Sequence, residues 1–150
     1  WRVQRALAEI QFRAGQHVAS KQTYQRLVVA TPDDAISLNN YANLLHQMND
    51  PSAQEIAERA LKLSPYNADY GDTLGWILVS KGQVEAGLRY LREARLRSPD
   101  SSEIRFHLAF ALAKIGRKDE AREELAVALS GSERISNNPQ LASLKRELGL

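Results

Sequence analysis

Large and small apolar residues recur along this chain in a pattern that returns every 33 or 34 residues. If Pro32, Pro65 and Pro99 each mark the thirty-second position of a unit, the units are 1–34, 35–67, 68–101 and 102–135, the second one residue short. Position 8 then holds Ala8, Ala42, Gly75 and Ala109, and position 20 holds Ser20, Ala53, Gly87 and Ala121. Position 27 holds Leu27, Ala60, Ala94 and Ala128, while position 7 carries a large residue each time: Leu7, Tyr41, Leu74, Leu108. Small residues facing each other let two antiparallel helices cross at the close end of the usual spacing of about 8–10 Å. The large neighbours then fill the gap to the next pair, so the pattern predicts two helices per unit and a stack of units.

The punctuation agrees with this division. Gly15, Asn49, Gly82 and Gly116 fall between the two helices of each unit, where a left-handed residue ends a helix. Each of the three prolines opens a short polar loop after the second helix. In the short unit, Asp50-Pro51 supplies an N-cap and a proline at the first helical position. Beyond a linker at 131–137, Asn138-Pro139 predicts the start of a ninth helix over 138–149, with Leu141, Leu144 and Leu148 on one face. A stack of hairpins needs such a cover at its last unit. The first unit has none, and the chain opens at Trp1 with neither Met nor a signal sequence. It therefore reads as a single repeat domain, 1–150, excised from a longer chain with further repeats before Trp1.

These residues resemble the tetratricopeptide repeat (TPR) family, whose signature is a large apolar residue at position 7, small ones at 8, 20 and 27, and proline at 32. Leu74-Gly75, Leu78, Gly82, Gly87, Leu91, Ala94 and Pro99 carry it best. The resemblance implies an all-α fold, a right-handed α-solenoid of four TPR helical hairpins plus a C-terminal capping helix. Departures occur at position 4, often Trp in the family and here Gln4, Leu38, Gly71 and Arg105, and at Glu133, which stands where the fourth proline would. Within the family, Asp72-Thr73-Leu74-Gly75-Trp76-Ile77-Leu78, Ile104-Arg105-Phe106-His107-Leu108-Ala109 and Leu144-Lys145-Arg146-Glu147-Leu148 resemble the C-terminal repeats of the bacterial PEP-CTERM/exosortase-associated TPR lipoprotein. That resemblance implies a role in envelope protein sorting or exopolysaccharide production, in the periplasm or on a membrane anchor of a Gram-negative bacterium.

Composition removes several classes of chemistry. With no cysteine there are no disulfides, thiolate metal sites or thiol nucleophiles. His17, His46 and His107 lie in different units without a metal-binding spacing, and each reads as an ordinary surface or partly buried histidine. No phosphate-binding or nucleophile motif occurs; Gly75, Gly82 and Gly87 are packing and turn residues of the repeat, which leaves Gly71 outside it. An enzyme, a cofactor and a metal are thus not expected. Lys and Arg number 20 against 18 acids, and the arginines around Arg89–Arg97 alternate with glutamates, so nucleic acid is not the expected partner. No apolar run has the length of a membrane helix.

In the family, positions 2, 5, 9, 12 and 13 of each first helix line a concave groove. Carried over, this places Asn39 and Asn43 one turn apart as a pair of amides able to clamp an extended backbone, with His46 beyond them. Trp76, Phe106 and Phe110 form an aromatic patch next to Asp69, Asp72 and Glu103. The pattern of a chaperone-type groove that grips a terminal carboxylate is not met, since Glu9 falls where that groove needs an asparagine and Asp69 where it needs a lysine. The expected partner is a protein or peptide with apolar and basic side chains. Alternatives are self-association through an uncovered end, giving a homodimer, and contact with a glycan stacked on Trp76.

Overall fold

The computed structural model describes residues 1–150 as helices joined by short turns. Four antiparallel pairs follow one another: α1 (Arg2–Arg13) with α2 (His17–Ala30), α3 (Ala35–Gln47) with α4 (Ala53–Leu63), α5 (Ala68–Ser80) with α6 (Val84–Arg97), and α7 (Ser102–Lys114) with α8 (Lys118–Gly131). A single turn, α9 (Glu133–Ser136), and α10 (Leu141–Leu148) close the C-terminal end. Each pair packs against its neighbours in the chain, α2 on α3, α4 on α5 and α6 on α7, and the first helices α1, α3, α5 and α7 adjoin along one side. This is an all-α solenoid, in which every hairpin covers the next.

The local chemistry explains where each helix stops. Gly15, Asn49, Gly82 and Gly116 all have positive φ, from 54° to 82°. After each of them the backbone N–H of the next residue reaches back five residues to a carbonyl, Gln16 to Gln11, Asp50 to Leu45, Gln83 to Leu78 and Arg117 to Leu112, at 2.8–2.9 Å. One Schellman-type turn is therefore used four times. Thr31, Ser64 and Ser98, which precede the prolines, are driven out of the helical region to φ near −133° to −141°. Asp34, Asn67 and Ser101 then cap the next helix by accepting the N–H of Ser37, Tyr70 and Ile104.

All twelve residues at positions 8, 20 and 27 are buried. Ser20 donates its hydroxyl to the Ala8 carbonyl across the first hairpin at 2.8 Å. Position 7 is equally buried at Tyr41, Leu74 and Leu108, but Leu7 is 43% exposed, because no hairpin covers α1. Val3, Ile10 and Val18 are exposed on the same hairpin.

Two predicted boundaries shift. The linker 131–137 contains α9, whose Ile135 is buried, and the capping helix starts at Leu141, not 138. Asn138 accepts the Gln140 N–H at 2.8 Å, which makes a tight turn and leaves Pro139 before the helix. Likewise α4 begins at Ala53, because Asp50 accepts both the N–H and the hydroxyl of Ser52 and stretches the turn around Pro51. Leu141, Leu144 and Leu148 bury against α7 and α8 as the cap, and Arg122 donates to the Leu148 carbonyl at 2.5 and 3.0 Å.

Candidate functional site: the concave face of the first helices

On the side where α1, α3, α5 and α7 adjoin, one contact recurs from hairpin to hairpin. The residue at position 9 meets the residue at position 6 of the next unit. Asn40 donates to Glu9 at 2.9 Å, Asn43 donates to Thr73 at 3.3 Å, and Trp76 stacks on His107 with ring centroids 4.3 Å apart and planes 14° from parallel. The same face that a ligand would meet thus also holds the hairpins together.

His107 shows the greatest departure from the sequence reading. It is buried, and its Nδ1–H donates to both oxygens of Asp72 at 2.8 and 3.0 Å. The carboxylate can only accept, so Nδ1 carries the proton. Burial pushes the imidazole toward the neutral form, but the charge and hydrogen bond of Asp72, helped by Glu103, outweigh it and hold its pKa above the ordinary histidine value. His46 behaves in the opposite way: burial, and then the charge of His107, push its pKa down. The one sequence signal for His107 was position 6 itself, polar in units two to four as Asn40, Thr73 and His107.

The other predicted residues divide between groove and interior. His46 is half-buried with Nε2 3.4 Å from the Ser80 hydroxyl, and Trp76 and Phe110 are half-buried in edge-to-face contact at 5.2 Å. Lys114 places its ammonium 5.1 Å from the Phe110 ring. Asp72 is buried beneath His107, and Asn39 is buried with its Oδ1 lacking any hydrogen-bond donor. Asn39 and Asn43 therefore do not form the exposed pair of amides that the spacing suggested. Phe106 is fully buried and leaves the aromatic patch, since α9 packs on α7 there.

What remains open is a concave pocket of about 500 Å³. Asn43, His46, Trp76, Ser80 and His107 line it from the first helices, and the Asn138–Gln140 turn forms its far wall. Nearly every lining group is an amide, imidazole, hydroxyl or carboxylate, with Trp76 as the one large apolar surface. Such a set can donate to and accept from a polypeptide backbone while the indole takes a side chain. No group of three or more His, Asp or Glu side chains is arranged to hold a metal ion, and no helix is long and apolar enough to cross a membrane.

Comparison with known families matches residues 1–68 and 78–148 to two tetratricopeptide repeat models. These hairpins are tetratricopeptide repeats. FlbA of Caulobacter vibrioides is 27% identical to the TPR array over 124 residues, which are 82% of this chain and 21% of that protein. A TPR repeat-containing protein of Pseudomonas aeruginosa is 36% identical over 86 residues, 55% of this chain and 14% of that protein. The array thus spans no more than about a fifth of the length of these relatives. The crystal structure of PilW, a type IV pilus biogenesis factor, superposes with a TM-score of 0.85 over 99% of this chain and 70% of its own, at 19% identity. That likeness is one of fold, the right-handed TPR solenoid. TPR arrays are protein-interaction scaffolds.

Proposed function

We propose that this TPR array is a non-catalytic scaffold that binds an extended peptide or protein segment in its concave pocket. The observation behind this reading is the composition of that pocket, polar groups around a single indole, walled on one side by the Asn138–Gln140 turn. A bound segment runs across α3, α5 and α7, with its backbone toward Asn43 and His46 and one apolar side chain on Trp76. Glu103 lies in the same pocket and favours a basic residue beside that side chain. Of the expected contacts, Asn43, His46 and Trp76 line this pocket, and Phe110 supports the Trp76 ring from 5.2 Å. Asp72 acts by holding His107.

The test is selection of ten-residue peptides displayed on phage, followed by titration of the winners with tryptophan fluorescence in a Trp1→Phe background. Trp1 is exposed at the end of the chain, so the change leaves Trp76 as sole reporter. An Asn43→Ala, His46→Ala double variant is expected to weaken the winners at least tenfold with unchanged circular dichroism. Retained binding would move the site off the concave face.

The finer role we propose is envelope protein sorting or exopolysaccharide production, in the periplasm or at a membrane anchor. It rests on resemblance to the PEP-CTERM/exosortase-associated TPR lipoprotein, and PilW offers a TPR fold in another envelope system. Deletion of the parent gene in a PEP-CTERM-bearing host, with surface polysaccharide and sorted proteins quantified, tests it; normal levels of both count against it.

A second reading, self-association, is favoured by the exposed apolar residues of the first hairpin, Val3, Leu7, Ile10 and Val18. It predicts a concentration-dependent dimer in sedimentation, lost on Leu7→Lys; a monomer at all concentrations removes it.

A further inference from the structure

Gly71 is the glycine that neither the helix crossing nor any turn explains. It lies in the middle of the first turns of α5, and a Cβ there would meet Ala94 Cβ at 3.8 Å and the Tyr90 carbonyl at 3.9 Å, ordinary contact distances. Around it opens a second pocket of about 470 Å³ between α4, α5 and α6, which shares no residue with the concave one. Its walls are largely apolar, from Leu61, Pro65, Leu74, Tyr90 and Ala94.

The corresponding place is filled in both neighbouring hairpins by the chain's own residue at position 4. Leu38 occupies it in the second hairpin and is fully buried. Arg105 occupies it in the fourth, where its guanidinium is held by Glu124 at 2.5 Å and by the Pro99 carbonyl at 2.6 Å. The third hairpin alone of these three lacks the plug. At the mouth of the pocket Tyr66 is 76% exposed, its ring 4.7 Å beneath the Arg97 guanidinium, so a large aromatic surface is held out in water.

We infer that the Gly71 pocket is a docking site for one apolar side chain, leucine-sized or aromatic, supplied by a partner polypeptide. The identity of the occupant follows from what sits in the same register next door, an aliphatic side chain at Leu38 and an aliphatic stem at Arg105. The charge of the rim refines it. Arg97 is paired with Glu93 at 2.6 Å and Glu58 accepts from the Gln54 amide at 2.9 Å, whereas Lys62 makes neither an ion pair nor a hydrogen bond. An acidic residue beside the apolar anchor completes the rim. Because the two pockets are separate, this site and the concave groove stand or fall independently.

The experiment uses the whole chain and small defined probes. N-acetyl-leucine amide and N-acetyl-tryptophan amide are titrated while backbone amide resonances are followed by NMR. Saturable shifts at Tyr66, Gly71 and Ala94 are expected, with Asn43 and His46 unmoved. Gly71→Leu should raise the melting temperature, by filling the space and improving helix propensity, and weaken the probes at least tenfold. Tyr66→Ala, on the surface, should weaken them without touching the core. Acetyl-Leu-Asp-amide should bind more tightly than acetyl-Leu-Lys-amide. No saturable shift at these residues, equal binding to the Gly71→Leu variant, a lowered melting temperature in that variant, or tighter binding of the lysine dipeptide would each overturn the inference.

Discussion

The carbonyl oxygen of Gly75 lies 2.5 Å from the point that a Cβ on Gly87 would occupy. The backbones of α5 and α6 therefore cross without side chains between them, closer than an Ala–Ala pair such as Ala42 and Ala53 allows. Alanine is the better helix former by about 1 kcal/mol, yet Gly87→Ala must push Val79 and the Gly75 backbone aside. It should destabilise by about 1–3 kcal/mol. Gly71→Ala, with open space around it, should stabilise by about 0.5–1 kcal/mol. Urea unfolding midpoints of the two variants should fall on opposite sides of the parent's; the reverse order would show that the crossing is not limiting.

The Asp72–His107 pair makes stability depend on pH. The histidine's folded-state pKa is raised, so its contribution is complete below about 6.5, the unfolded value, and is lost as pH rises through the folded value. His46, with its pKa lowered, acts oppositely and loses stability as pH falls, so the comparison belongs in a His46→Gln background. There, Asp72→Asn should cost more stability at pH 5.5 than at pH 8.5. Equal costs at both values would mean that the imidazole is not charged in the folded protein.

A second linkage sits at the turn of the short hairpin. Lys21 donates to Asp50 at 2.6 Å, and Ser52 donates to the same carboxylate, which together hold the Asp50 pKa down at about 2. Its contribution is present at neutral pH and fades as pH falls below the ordinary carboxylate range toward 2. Asp50→Asn is expected to lower stability by about 1–2 kcal/mol at pH 7, after allowance for solvent screening. The difference should shrink as pH falls from the ordinary carboxylate range through about 2, as measured by chemical denaturation, and a difference independent of pH would assign the effect to the turn alone.

The cap should behave as a separable end piece. Leu144 is fully buried between α10 and the last hairpin, and Leu144→Ala should cost about 2–5 kcal/mol. In a stack where each unit covers its neighbour, the loss falls mainly on α7 to α10. Amide hydrogen exchange should speed up there first and leave α3 and α4 protected; uniform loss along the chain would show tighter coupling than this.

Much of the architecture was written locally. Helix ends depend on Gly15, Asn49, Gly82, Gly116 and on the prolines, whose backbone preferences act within a few residues. The hairpin crossings depend on small residues at a fixed period, again visible without coordinates. Even the half of the groove on α3 and α5 was legible, because His46 and Trp76 do line it.

The tertiary structure alone decided which polar groups stay free. Asn43 and Asp72 are engaged by Thr73 and His107 from the next hairpin, and that pairing depends on how far each hairpin is rotated on the last. Phe106 shares its repeat position with Asn39 and Asp72, and all three are buried, Phe106 completely because α9 has folded over the final hairpin. Asn138–Gln140, some 30 residues beyond Phe110, became a wall of the pocket for the same reason. Periodicity assigns a face to each residue, since the helix repeats every 3.6 residues; what covers that face depends on a neighbour distant in the chain, and no local spacing encodes it.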